Sequence, residues 1–434
     1  MKDFAVSDSP RVQAQLDRLG RLSLPQGRLS LAPTRELLAR LGNPHLRLPP
    51  TFHVAGTNGK GSTCTYLRAM LEAQGLTVHT ATKPHLVRYN ERIRVAGSLI
   101  SDDLLADLLK QVLDAGADLA PSFFEVTTAA TFLAFAQIPA DACVIETGLG
   151  GRLDATNVLE TPAVTGISTL GIDHEAFLLA PEAGVPAEPL ARIAFEKASI
   201  AKPGAALVTQ AYPEIAAAEV AATAARHGAP LVMRGRDWFA DIGGSIAYRD
   251  AAGELLLPLP ALLGEHQADN AALAVAMLRH QSAVEVSLEA MGKGIVTARW
   301  PARLQRLGEG PLTALVPGRQ VWLDGGHNPD AGAAIARHFA GGASIHLIIG
   351  MLAGKDPQAL VGPLAPYLAS LTVVPIPGHE AHGTERFAAA GVPVTPMPDV
   401  PTALVAVPGP GDVLIAGSLY LAGEVLKLND EVPD

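Results

Sequence analysis

Short apolar runs rich in Val and Ile alternate with Ala- and Leu-rich stretches along the chain, and this alternation limits the possible fold more than any other feature. The clearest runs in the first two thirds are FHVA (52–55), ACVIE (142–146), AVTGIS (163–168) and ALVT (206–209). Continuously apolar strands are buried on both faces, so they indicate a parallel sheet covered by helices. The stretch from Ser62 to Gln74 predicts a helix with Gly75 just beyond its end, and residues 270–280 predict another.

A second alternation follows a stretch rich in Pro, Gly and Arg at 298–310. Strands are predicted at 320–324, 345–350, 371–375 and 412–417, and a helix at 331–339. We therefore expect an N-terminal α/β domain over 1–298, a linker over 299–311 and a smaller Rossmann-like α/β domain over 312–434. The segment 175–189 carries three prolines and no clear periodicity, so it is predicted to be a loop.

The composition excludes several classes of protein. Hydrophobic residues make up 48% of the 434 positions, which excludes collagen-like, disulfide-stapled and wholly disordered chains. With 33 Lys and Arg against 43 Asp and Glu, the net charge of −10 argues against nucleic-acid and anionic-membrane partners. Cys64 and Cys143 are far apart and form no metal-binding pattern. The N-terminal residues lack a signal-peptide pattern and no run approaches membrane-spanning length, so we expect a soluble cytoplasmic protein.

An apolar strand, a glycine-rich turn, a lysine and a helix start follow one another in FHVAGTNGKGS (52–62). The backbone N–H groups of such a turn, with a helix N-terminus behind them, form a site for anions. Lys60 is placed to reach the β- and γ-phosphates of a nucleotide, and the Ser62 hydroxyl to ligate Mg²⁺. Gly61 separates these two residues, so the spacing departs from the usual G-x4-G-K-[ST]. The alternative is an ordinary glycine-rich turn between a strand and a helix.

Seven further motifs accompany this turn in a fixed order. They are TKPHLVRYNERIRV (82–95), ETGLGGRLDATN (146–157), GIDH (171–174), FEKASI (195–200), WPARLQ (300–305), DGGHNPD (324–330) and GSLYLAGEV (417–425). Together with GTNGKGST, they make the chain resemble the folylpolyglutamate synthases of the Mur-ligase superfamily, and the members with dihydrofolate synthase activity most of all. The resemblance implies a P-loop Mur-ligase-type domain, a smaller Rossmann-like domain, and an active site in the cleft between them.

Two residues at predicted strand ends are candidates for a metal site. Glu146 ends the strand 142–146, and His174 follows the strand 163–168 by a short loop. Ligands of open parallel sheets bind beyond the carboxyl ends of the strands, so both residues are expected near the phosphate-binding turn. Taken alone, Glu146 is equally typical of a residue that caps a loop or pairs with an arginine such as Arg152, and a lone His is usually structural or exposed. The resemblance implies Ser62, Glu146 and His174 as metal ligands, with two Mg²⁺ ions at the ATP.

Two lysines are interpreted by comparison with the family pattern: the role of Lys197 follows only from the resemblance, and Lys83 departs from the pattern. By spacing alone, Lys197 is a solvated charge on a short helix. The resemblance implies that CO₂ carbamylates it and that the product orients magnesium, although Ser199 replaces the family's glycine. Carbamylation needs a neutral amine.

Lys83 stands where the family has a magnesium-ligating serine, and an ammonium offers no lone pair to a metal. We hypothesise that Lys83 contacts an ATP phosphate; the alternative is a rim lysine without a ligand.

A glycine-rich loop at 148–157 and the motif SFFE at 122–125 are candidates for the second substrate. Glycines let the backbone approach a ligand closely, and aromatic rings beside an acceptor suit a fused heteroaromatic ring. Core packing is the alternative for the rings, and we expect one of the two Phe to serve only the core. The residues that the resemblance assigns to the pterin or folate are Thr82, Ser122, Phe123, Phe124, Glu125, Leu153, Asp154 and Ala155.

The resemblance also assigns residues to ATP and to glutamate. Those for ATP are Thr57, Asn58, Gly59, Lys60, Gly61, Ser62, Asn270, Arg303 and Asp324, and those expected to be catalytic are Lys60, His174, Lys197 and Arg303. An Arg at the predicted domain boundary suits charge developing on the γ-phosphate. His327 and Ser418 match the glutamate side, whereas HNP (327–329) is equally typical of an N-cap and turn before a helix.

These observations predict an ATP-dependent ligase that adds L-glutamate to dihydropteroate, forming dihydrofolate, and to tetrahydrofolates, forming polyglutamates, through an acyl phosphate. The two activities share one chemistry, and the sequence does not distinguish between them. The alternatives are a Mur-type ligase for a cell-wall precursor, and a non-catalytic nucleotide-binding protein suggested by Lys83 and Ser199. The expected partners are the small-molecule substrates, and we expect a monomer.

Overall fold

The computed structural model of the chain describes residues 6–22, 30–342 and 344–434. The described residues form two compact units. The first contains the described residues of 1–84, 88–261 and 267–298, and the second those of 85–87, 262–266 and 299–434. Residues 1–5 and 23–29 of the predicted first domain lie outside the described residues. No helix in the described part of the chain is long and apolar enough to cross a membrane.

The first unit contains the larger set of elements. Its helices are α1 (Pro10–Gly20), α2 (Ala32–Arg40), α3 (Lys60–Ala73), α4 (Asp102–Ala115), α5 (Phe123–Gln137), α6 (Glu175–Leu178), α7 (Pro189–Ala198), α8 (Glu214–Arg226), α9 (Glu265–Arg279) and α10 (Leu288–Thr297). Its strands are β1 (Thr51–Ala55), β2 (Val78–Ala81), β3 (Ile93–Val95), β4 (Ser98–Leu99), β5 (Ala142–Glu146), β6 (Val164–Ile167), β7 (Ala206–Thr209), β8 (Leu231–Met233), β9 (Trp238–Ile242), β10 (Ile246–Asp250) and β11 (Gly253–Leu257).

Among the described residues, eight strands of the first unit form one sheet in the order β4-β3-β2-β5-β1-β6-β7-β8. From β2 to β8 every pair is parallel, and β3 and β4 add an antiparallel edge. All residues of β1 and β5 are buried, as the continuous apolar runs predicted. Helices α4 and α5 pack with β2 and β5 in one core, and α7 and α8 with β6 and β7 in another. The carboxyl ends of β2, β5, β1 and β6 therefore lie in a row.

A small antiparallel sheet, in the order β11-β10-β9, was not predicted from the sequence. Trp238 of β9 stacks on Tyr248 of β10, with ring centroids 5.8 Å apart. Asp250 at the end of β10 binds the Arg279 guanidinium through both carboxylate oxygens, at 2.5 and 2.6 Å. These contacts attach the small sheet to the end of α9.

The second unit is a six-stranded sheet with helices, counted over its described residues. Its strands are β12 (Gln305–Arg306), β13 (Val321–Leu323), β14 (Ile345–Ile349), β15 (Leu368–Val373), β16 (Val394–Pro396) and β17 (Val413–Ala416), and its helices are α11 (Pro329–Phe339), α12 (Gln358–Leu364), α13 (Val400–Val405) and α14 (Leu419–Leu428). The strand order is β12-β13-β17-β14-β15-β16, and only the β12–β13 pair among these is antiparallel. β12 lies inside the predicted linker.

The predicted strands are confirmed to within three residues at either end, whereas two helix starts and one loop differ. The helix predicted from Ser62 begins at Lys60, after Gly59 in a left-handed conformation. The helix predicted over 270–280 begins earlier, at Glu265. The loop predicted over 175–189 is wrong at both ends. It opens with α6, and Pro189 is the first residue of α7, where the Glu188 carboxylate caps the helix by accepting a bond from Ala191 N.

Candidate active site

The carboxyl ends of neighbouring parallel strands bring the predicted phosphate and metal residues to one edge of the large sheet. β1 leads through residues 56–59 into α3, whose first turn holds Lys60, Gly61 and Ser62. These residues, 56–62, form the phosphate loop. Val54 pairs in register with Glu146 of β5, and the Glu146 side chain is buried. The strand-end prediction thus places Glu146 correctly beside the phosphate loop.

Two glycines give the phosphate loop its close contacts. Gly56 has φ +150°, and a Cβ there would lie 1.9 Å from Ser168 Oγ. Gly59 has φ +83°, and a Cβ there would lie 2.4 Å from Asn270 Oδ1. Helix α9 therefore holds the predicted ATP residue Asn270 directly against the loop. Only glycine fits at these two positions without displacing a neighbour.

Hydrogen bonds join the phosphate loop to the segment that follows β6. Thr57 Oγ1 donates to the Gly171 carbonyl at 2.8 Å, and Asn58 N donates to Thr169 Oγ1 at 3.1 Å. Ser168 and Thr169 were not predicted as site residues, although the same strand-end rule that found Glu146 applies to them. The bonds hold the start of the segment that leads to His174.

Two lysine ammonium groups share one carbonyl oxygen of the phosphate loop. Lys60 Nζ donates to the carbonyl oxygens of Gly56 and Thr57, both at 3.1 Å. Lys197, buried on α7, donates from Nζ to the same Gly56 oxygen at 2.9 Å. Burial, aided by the Lys60 charge, lowers the pKa of Lys197 to about 7. A large fraction of Lys197 is therefore a neutral amine near pH 7.

Lys83 lies just past β2, among carboxylates. Its backbone N donates to Glu146 Oε2 at 3.0 Å. A Cβ at Gly148 would lie 3.6 Å from Lys83 Nζ and 3.1 Å from Asp154 Oδ2, so both side chains reach the same glycine. Burial lowers the pKa of Lys83, and the carboxylates of Asp154 and Glu146 partly oppose this shift. The half-buried ammonium faces the row of strand ends.

Asp154 organises the glycine-rich loop at 148–157, which we call the pterin-side loop. Its Oδ2 accepts bonds from the N–H groups of Gly148 and Leu149, at 2.8 and 2.9 Å. Its Oδ1 accepts from Thr156 N and Oγ1, at 3.0 and 2.5 Å. Burial alone would raise the pKa of Asp154, but the Lys83 ammonium and the bonds from Thr156 and Leu149 lower it. The ionised carboxylate thus ties the start of the loop to Thr156, and Leu153 and Ala155, the other predicted residues of this loop, flank it in the chain.

Ser122 and Glu125 close the N-terminus of α5. Ser122 Oγ accepts from Glu125 N at 3.3 Å, and Glu125 Oε2 accepts from Ser122 N at 2.6 Å, which is a capping box. Glu125 Oε1 also accepts from Thr34 Oγ1 at 3.2 Å. A carboxylate has about four acceptor positions, so these bonds leave Glu125 capacity for a ligand.

The two neighbouring phenylalanines differ in their surroundings. Phe123 packs edge-on against Tyr89, with centroids 6.1 Å apart, and the Arg92 guanidinium lies 5.6 Å from its ring centre. Phe124 is 37% exposed and touches Phe123 edge-on. Phe123 is therefore the ring that packs, and Phe124 the ring that faces outward. Thr82 is buried, and its N donates to the Arg92 carbonyl at 3.2 Å.

The predicted metal ligands sit in different local settings. Ser62 is buried in the first turn of α3, whereas His174 is exposed and precedes α6 with φ +55°. No cluster of three or more His, Cys, Asp or Glu side chains suited to a metal occurs among the described residues. A hydroxyl, a carboxylate and an imidazole are nevertheless donors that Mg²⁺ and Mn²⁺ accept alongside nucleotide oxygens and water.

In the second unit, Arg303 and Asp324 lie together. Asp324 follows β13 and is buried; its Oδ2 accepts from Leu304 N at 2.8 Å and its Oδ1 from Gly326 N at 2.6 Å. Burial raises the pKa of Asp324, and the Arg303 charge opposes this shift. Arg303 Nη1 donates to the Ala302 carbonyl at 2.8 Å. The carboxylate thus fixes the turn that carries the arginine.

His327 and Ser418 follow two adjacent parallel strands of the second unit, β13 and β17. His327 Nδ1 lies 3.0 Å from the Gly325 carbonyl oxygen. Asn328 is the N-cap of α11, so the capping interpretation of HNP is confirmed for this residue. Ser418 is the N-cap of α14 and accepts a hydrogen bond from Tyr420 N at 3.1 Å. Both predicted glutamate residues therefore lie at strand ends, where ligands of parallel sheets bind.

A phosphate loop at a helix N-terminus, a strand-end carboxylate beside it and a second α/β unit with an Arg–Asp pair define an ATP-dependent ligase of the Mur type. No family model matches the chain. It is 34% identical over 358 residues to the dihydrofolate synthase/folylpolyglutamate synthase of Bacillus subtilis, covering 76% of this chain and 77% of the relative. It is 32% identical over 422 residues to the folylpolyglutamate synthase of Lacticaseibacillus casei, covering 90% and 92%. The chain belongs to the dihydrofolate synthase/folylpolyglutamate synthase family.

Solved structures agree with this placement. An Escherichia coli FolC structure in complex with DHPP and ADP matches with a TM-score of 0.85 and 30% identity, over 98% of both chains. The bifunctional folylpolyglutamate synthase/dihydrofolate synthase of Yersinia pestis, complexed with AMPPNP and a Mn ion, matches with a TM-score of 0.83 and 29% identity, over 97% and 98%. The predicted two-domain α/β fold of the Mur-ligase type is confirmed.

Proposed function

We propose that this protein is an ATP-dependent ligase that joins L-glutamate to dihydropteroate, forming dihydrofolate, and to tetrahydrofolates, forming polyglutamates. The observation that carries the proposal is the phosphate loop, with Lys60 at the start of α3 and Glu146 beside it, in a chain of this family. Relatives solved with ADP and DHPP, and with Mn, AMPPNP and L-glutamate, support the same set of small-molecule substrates.

The reaction needs ATP because a carboxylate is a poor acyl donor at neutral pH. An oxygen of the substrate carboxylate attacks the γ-phosphorus, the bond to the bridging oxygen breaks, and ADP leaves with the electron pair. The glutamate amine then attacks the carbonyl carbon of the acyl phosphate. The amine loses a proton, inorganic phosphate leaves the tetrahedral intermediate, and an amide remains.

Residues of the phosphate loop hold the nucleotide in this proposal. The N–H groups of 59–62 surround the phosphates, and Lys60 Nζ turns from the carbonyls of Gly56 and Thr57 to the β- and γ-phosphates. Asn270, packed on Gly59, contacts the nucleotide from α9. The divalent metal ligands are Ser62, Glu146 and His174, and we assign them two Mg²⁺ ions. When bound, the metal offsets the charge of the phosphates.

Lys197 is proposed to react with CO₂. Its neutral amine attacks the carbon of CO₂ and loses a proton, so a neutral group becomes a carbamate anion. Burial of Nζ and the neighbouring Lys60 ammonium lower the pKa of Lys197 to about 7, which supplies the neutral amine, and the Lys60 ammonium then stabilises the anion. The carbamate would lie next to Gly56, where it can orient the metal ligands.

Lys83 is proposed to donate to a phosphate oxygen of ATP or of the acyl phosphate. Its ammonium reaches Gly148, just past the end of β5, where Asp154 Oδ2 also lies, and the same row of strand ends holds the phosphate loop. A fixed cation here neutralises phosphate charge without a metal ion.

The remaining assignments follow the strand ends and loops. The proposed pterin or folate contacts are Thr82, Ser122, Phe123, Phe124, Glu125, Leu153, Asp154 and Ala155. Arg303 is proposed to stabilise charge on the γ-phosphate, Asp324 to contact ATP, and His327 and Ser418 to bind glutamate. Phe124 supports the ring-binding assignment because it is the exposed member of its pair.

The test is ADP release from the full chain with ATP, Mg²⁺ and L-glutamate. Three arms contain 7,8-dihydropteroate, tetrahydrofolate or no acceptor. We expect release above the no-acceptor arm with both acceptors, and Lys60→Ala as the matched control should reduce both by at least about 100-fold. Release with one acceptor alone would overturn the bifunctional proposal. Release with neither would overturn the function itself.

We also propose a cytoplasmic monomer that binds neither nucleic acid nor membranes. The two cysteines are both free and buried, which suits a reducing compartment. The net charge of −10 supports the absence of polyanionic partners. Light scattering after size exclusion should give the mass of one chain, 45.0 kDa; a doubled mass would contradict the monomer.

A further inference from the structure

Four side chains of the first unit form an ion cluster, Arg152, Glu182, Arg192 and Glu196, that the proposed reaction does not use. Glu182 binds both arginines: its Oε2 lies 2.6 Å from Arg152 Nη2 and 3.0 Å from Arg192 Nη2. Glu196 also binds both, with Oε1 at 2.9 Å from Arg152 Nη2 and 3.1 Å from Arg192 Nε. The two guanidinium groups and the two carboxylates thus have no net charge together.

The ion cluster is largely shielded from water. The side chains of Glu196 and Arg192 are 4% and 6% exposed, and those of Glu182 and Arg152 are 13% and 21% exposed. Removing one partner from such a group leaves an uncompensated charge in a poorly solvated place, which is strongly unfavourable. The three segments that supply these side chains are therefore held in one arrangement.

Those three segments are parts of the site. Arg152 belongs to the pterin-side loop, and Glu196 lies on α7 directly before Lys197. Glu182 comes from the segment 179–188, which the sequence left without a role. The same segments touch elsewhere: Arg152 N donates to the Glu196 carbonyl at 2.7 Å, and a Cβ at Gly150 would lie 2.9 Å from Leu178 at the end of α6.

We propose that Glu182 is a positioning residue for the pterin-side loop. Arg152 is two residues from Asp154, and its guanidinium is held from one side by α7 and from the other by Glu182. Without Glu182, two guanidinium groups share the single carboxylate of Glu196, and Arg152 loses its bond to the 179–188 segment. The loop then samples other conformations, and the acceptor that it binds is held less firmly. This inference rests on the proposed pterin role of the loop.

The phosphate loop is joined to these segments by the bond from Lys197 Nζ on α7 to the Gly56 carbonyl. Glu196, the residue before Lys197, keeps both arginines as partners when Glu182 is replaced. The other contacts of the loop run to the segment after β6 through Thr57 and Asn58, and to α9 through Gly59. Loss of Glu182 is therefore expected to act on the acceptor and to spare ATP. A change in the KM for the acceptor without a change in the KM for ATP distinguishes a positioning role from a general loss of stability. A general loss of stability would lower the fraction of active enzyme and reduce kcat for every substrate.

The experiment compares Glu182→Gln with the wild type in the full chain. The expected result is a KM for dihydropteroate raised about tenfold, with the KM for ATP within about twofold. Glu182→Asp, which restores the charge, should recover part of the defect. Asp250→Asn is the matched control, because it breaks a buried ion pair with Arg279 in the same unit. It should lower the unfolding midpoint and leave both KM values unchanged.

A second readout does not depend on turnover. Amide hydrogen exchange of residues 148–157, measured without substrate, should be faster in Glu182→Gln than in the wild type and unchanged in Asp250→Asn. Equal exchange, or parallel changes in both KM values, would overturn the positioning role. If the wild type turned over no dihydropteroate but exchange still rose in Glu182→Gln, the positioning would stand and the pterin assignment would fall.

Discussion

At the scale of single residues, the site is a set of ionisable groups whose charges are set by their neighbours. Lys60 and Lys197 donate to one carbonyl, that of Gly56, and the Lys60 charge adds to the cost of keeping the buried Lys197 protonated. Lys60 can exchange this contact for phosphate oxygens, whereas Lys197 is buried. The carbamate proposal turns this repulsion into attraction, because it replaces one of the two cations with an anion.

Activity should depend on CO₂ in a pH-dependent way. With its pKa lowered to about 7, Lys197 is mostly neutral at pH 8, whereas roughly a tenth is neutral at pH 6. The amine that reacts with CO₂ is therefore lost as pH falls through 7. We expect CO₂-depleted enzyme to regain activity on adding bicarbonate, more slowly at pH 6 than at pH 7.5 when the bicarbonate is adjusted to give the same dissolved CO₂ at both. Lys197→Arg should be inactive at both; bicarbonate-independent wild-type activity would contradict the carbamate.

Replacing Lys83 should separate its charge from its shape. Lys83→Met removes the cation and should lower kcat by about 100-fold, as for the loss of one group that stabilises transition-state charge. Lys83→Arg keeps the cation and should retain more activity than Lys83→Met. The second measurement is Mn²⁺ bound per chain with AMPPNP, which should rise in Lys83→Ser if the ammonium substitutes for a metal ion. Full activity of Lys83→Met would show that Lys83 makes no contact with the phosphates and lies at the rim without a ligand.

Local patterns predicted where the candidate ligand-binding residues lie, and missed the residues that hold them in place. Lys60 and Glu146 could be predicted because a strand end and a glycine turn are read from a few adjacent positions. The contact of Lys197 with Gly56 joins residues 141 positions apart. The four bonds accepted by Asp154 likewise depend on the folded loop, so the sequence offered only a ligand role for it.

At the scale of elements, helix α3 carries left-handed glycines at both ends. Gly59 (φ +83°) precedes its first residue, and Gly75 (φ +91°) follows its last turn. Replacing either glycine by Ala would cost about 1–2 kcal/mol in backbone strain. Only at Gly59 would the new Cβ also meet a neighbour, at 2.4 Å from Asn270 Oδ1; no atom lies within 4 Å of a Cβ at Gly75.

Gly59→Ala and Gly75→Ala should therefore differ in nucleotide affinity. We expect both to lower the free energy of unfolding through backbone strain, and Gly59→Ala to lower it more because Asn270 must also shift. The Kd for AMPPNP, measured by calorimetry, should rise at least about tenfold in Gly59→Ala and stay near the wild-type value in Gly75→Ala. Equal affinities in the two variants would show that Asn270 and Gly59 do not cooperate at the nucleotide.

The segment 175–189 illustrates what element prediction lacks. Its prolines indicate a loop, yet Pro189 begins α7 and residues 175–178 form a helical turn. Proline fits the first turn of a helix as well as a loop, so composition alone does not decide. Glu182, in the rest of the segment, is held by ion pairs to Arg152 and Arg192, which lie outside it.

At the scale of the whole molecule, the alternation of apolar runs and helices was sufficient to predict two α/β sheets. It did not predict the antiparallel sheet β9–β11. The strands of this sheet are partly exposed, so their sequences lack the continuous apolar runs that mark the buried strands. Gly243-Gly244 and Ala252-Gly253 were the available turn signals. Nor does a linear pattern show that residues 85–87 and 262–266 belong with the second unit.

The stability of the fold should fall in acid because of a histidine in the central strand. His53 of β1 is fully buried, bonded at 2.9 Å to Thr156 Oγ1, and burial lowers its pKa to about 3. The unfolded chain binds a proton near pH 6.5 and the folded one does not, so stability is lost as pH falls below 6.5. This group contributes a loss of about 2 kcal/mol between pH 6.5 and 5.

His53→Gln removes the titration while keeping an amide near Thr156. Urea unfolding of the first unit can be followed through Trp238 in a background with Trp300→Phe and Trp322→Phe, since both of those belong to the second unit. The unfolding free energy of the His53→Gln variant should be lower at pH 7, since the buried pocket is shaped for imidazole, and should change less between pH 7 and 5 than that of its parent. A pH dependence as steep as the parent's would assign the acid loss to carboxylates such as Asp154, whose lowered pKa also gives stability that is lost as pH falls.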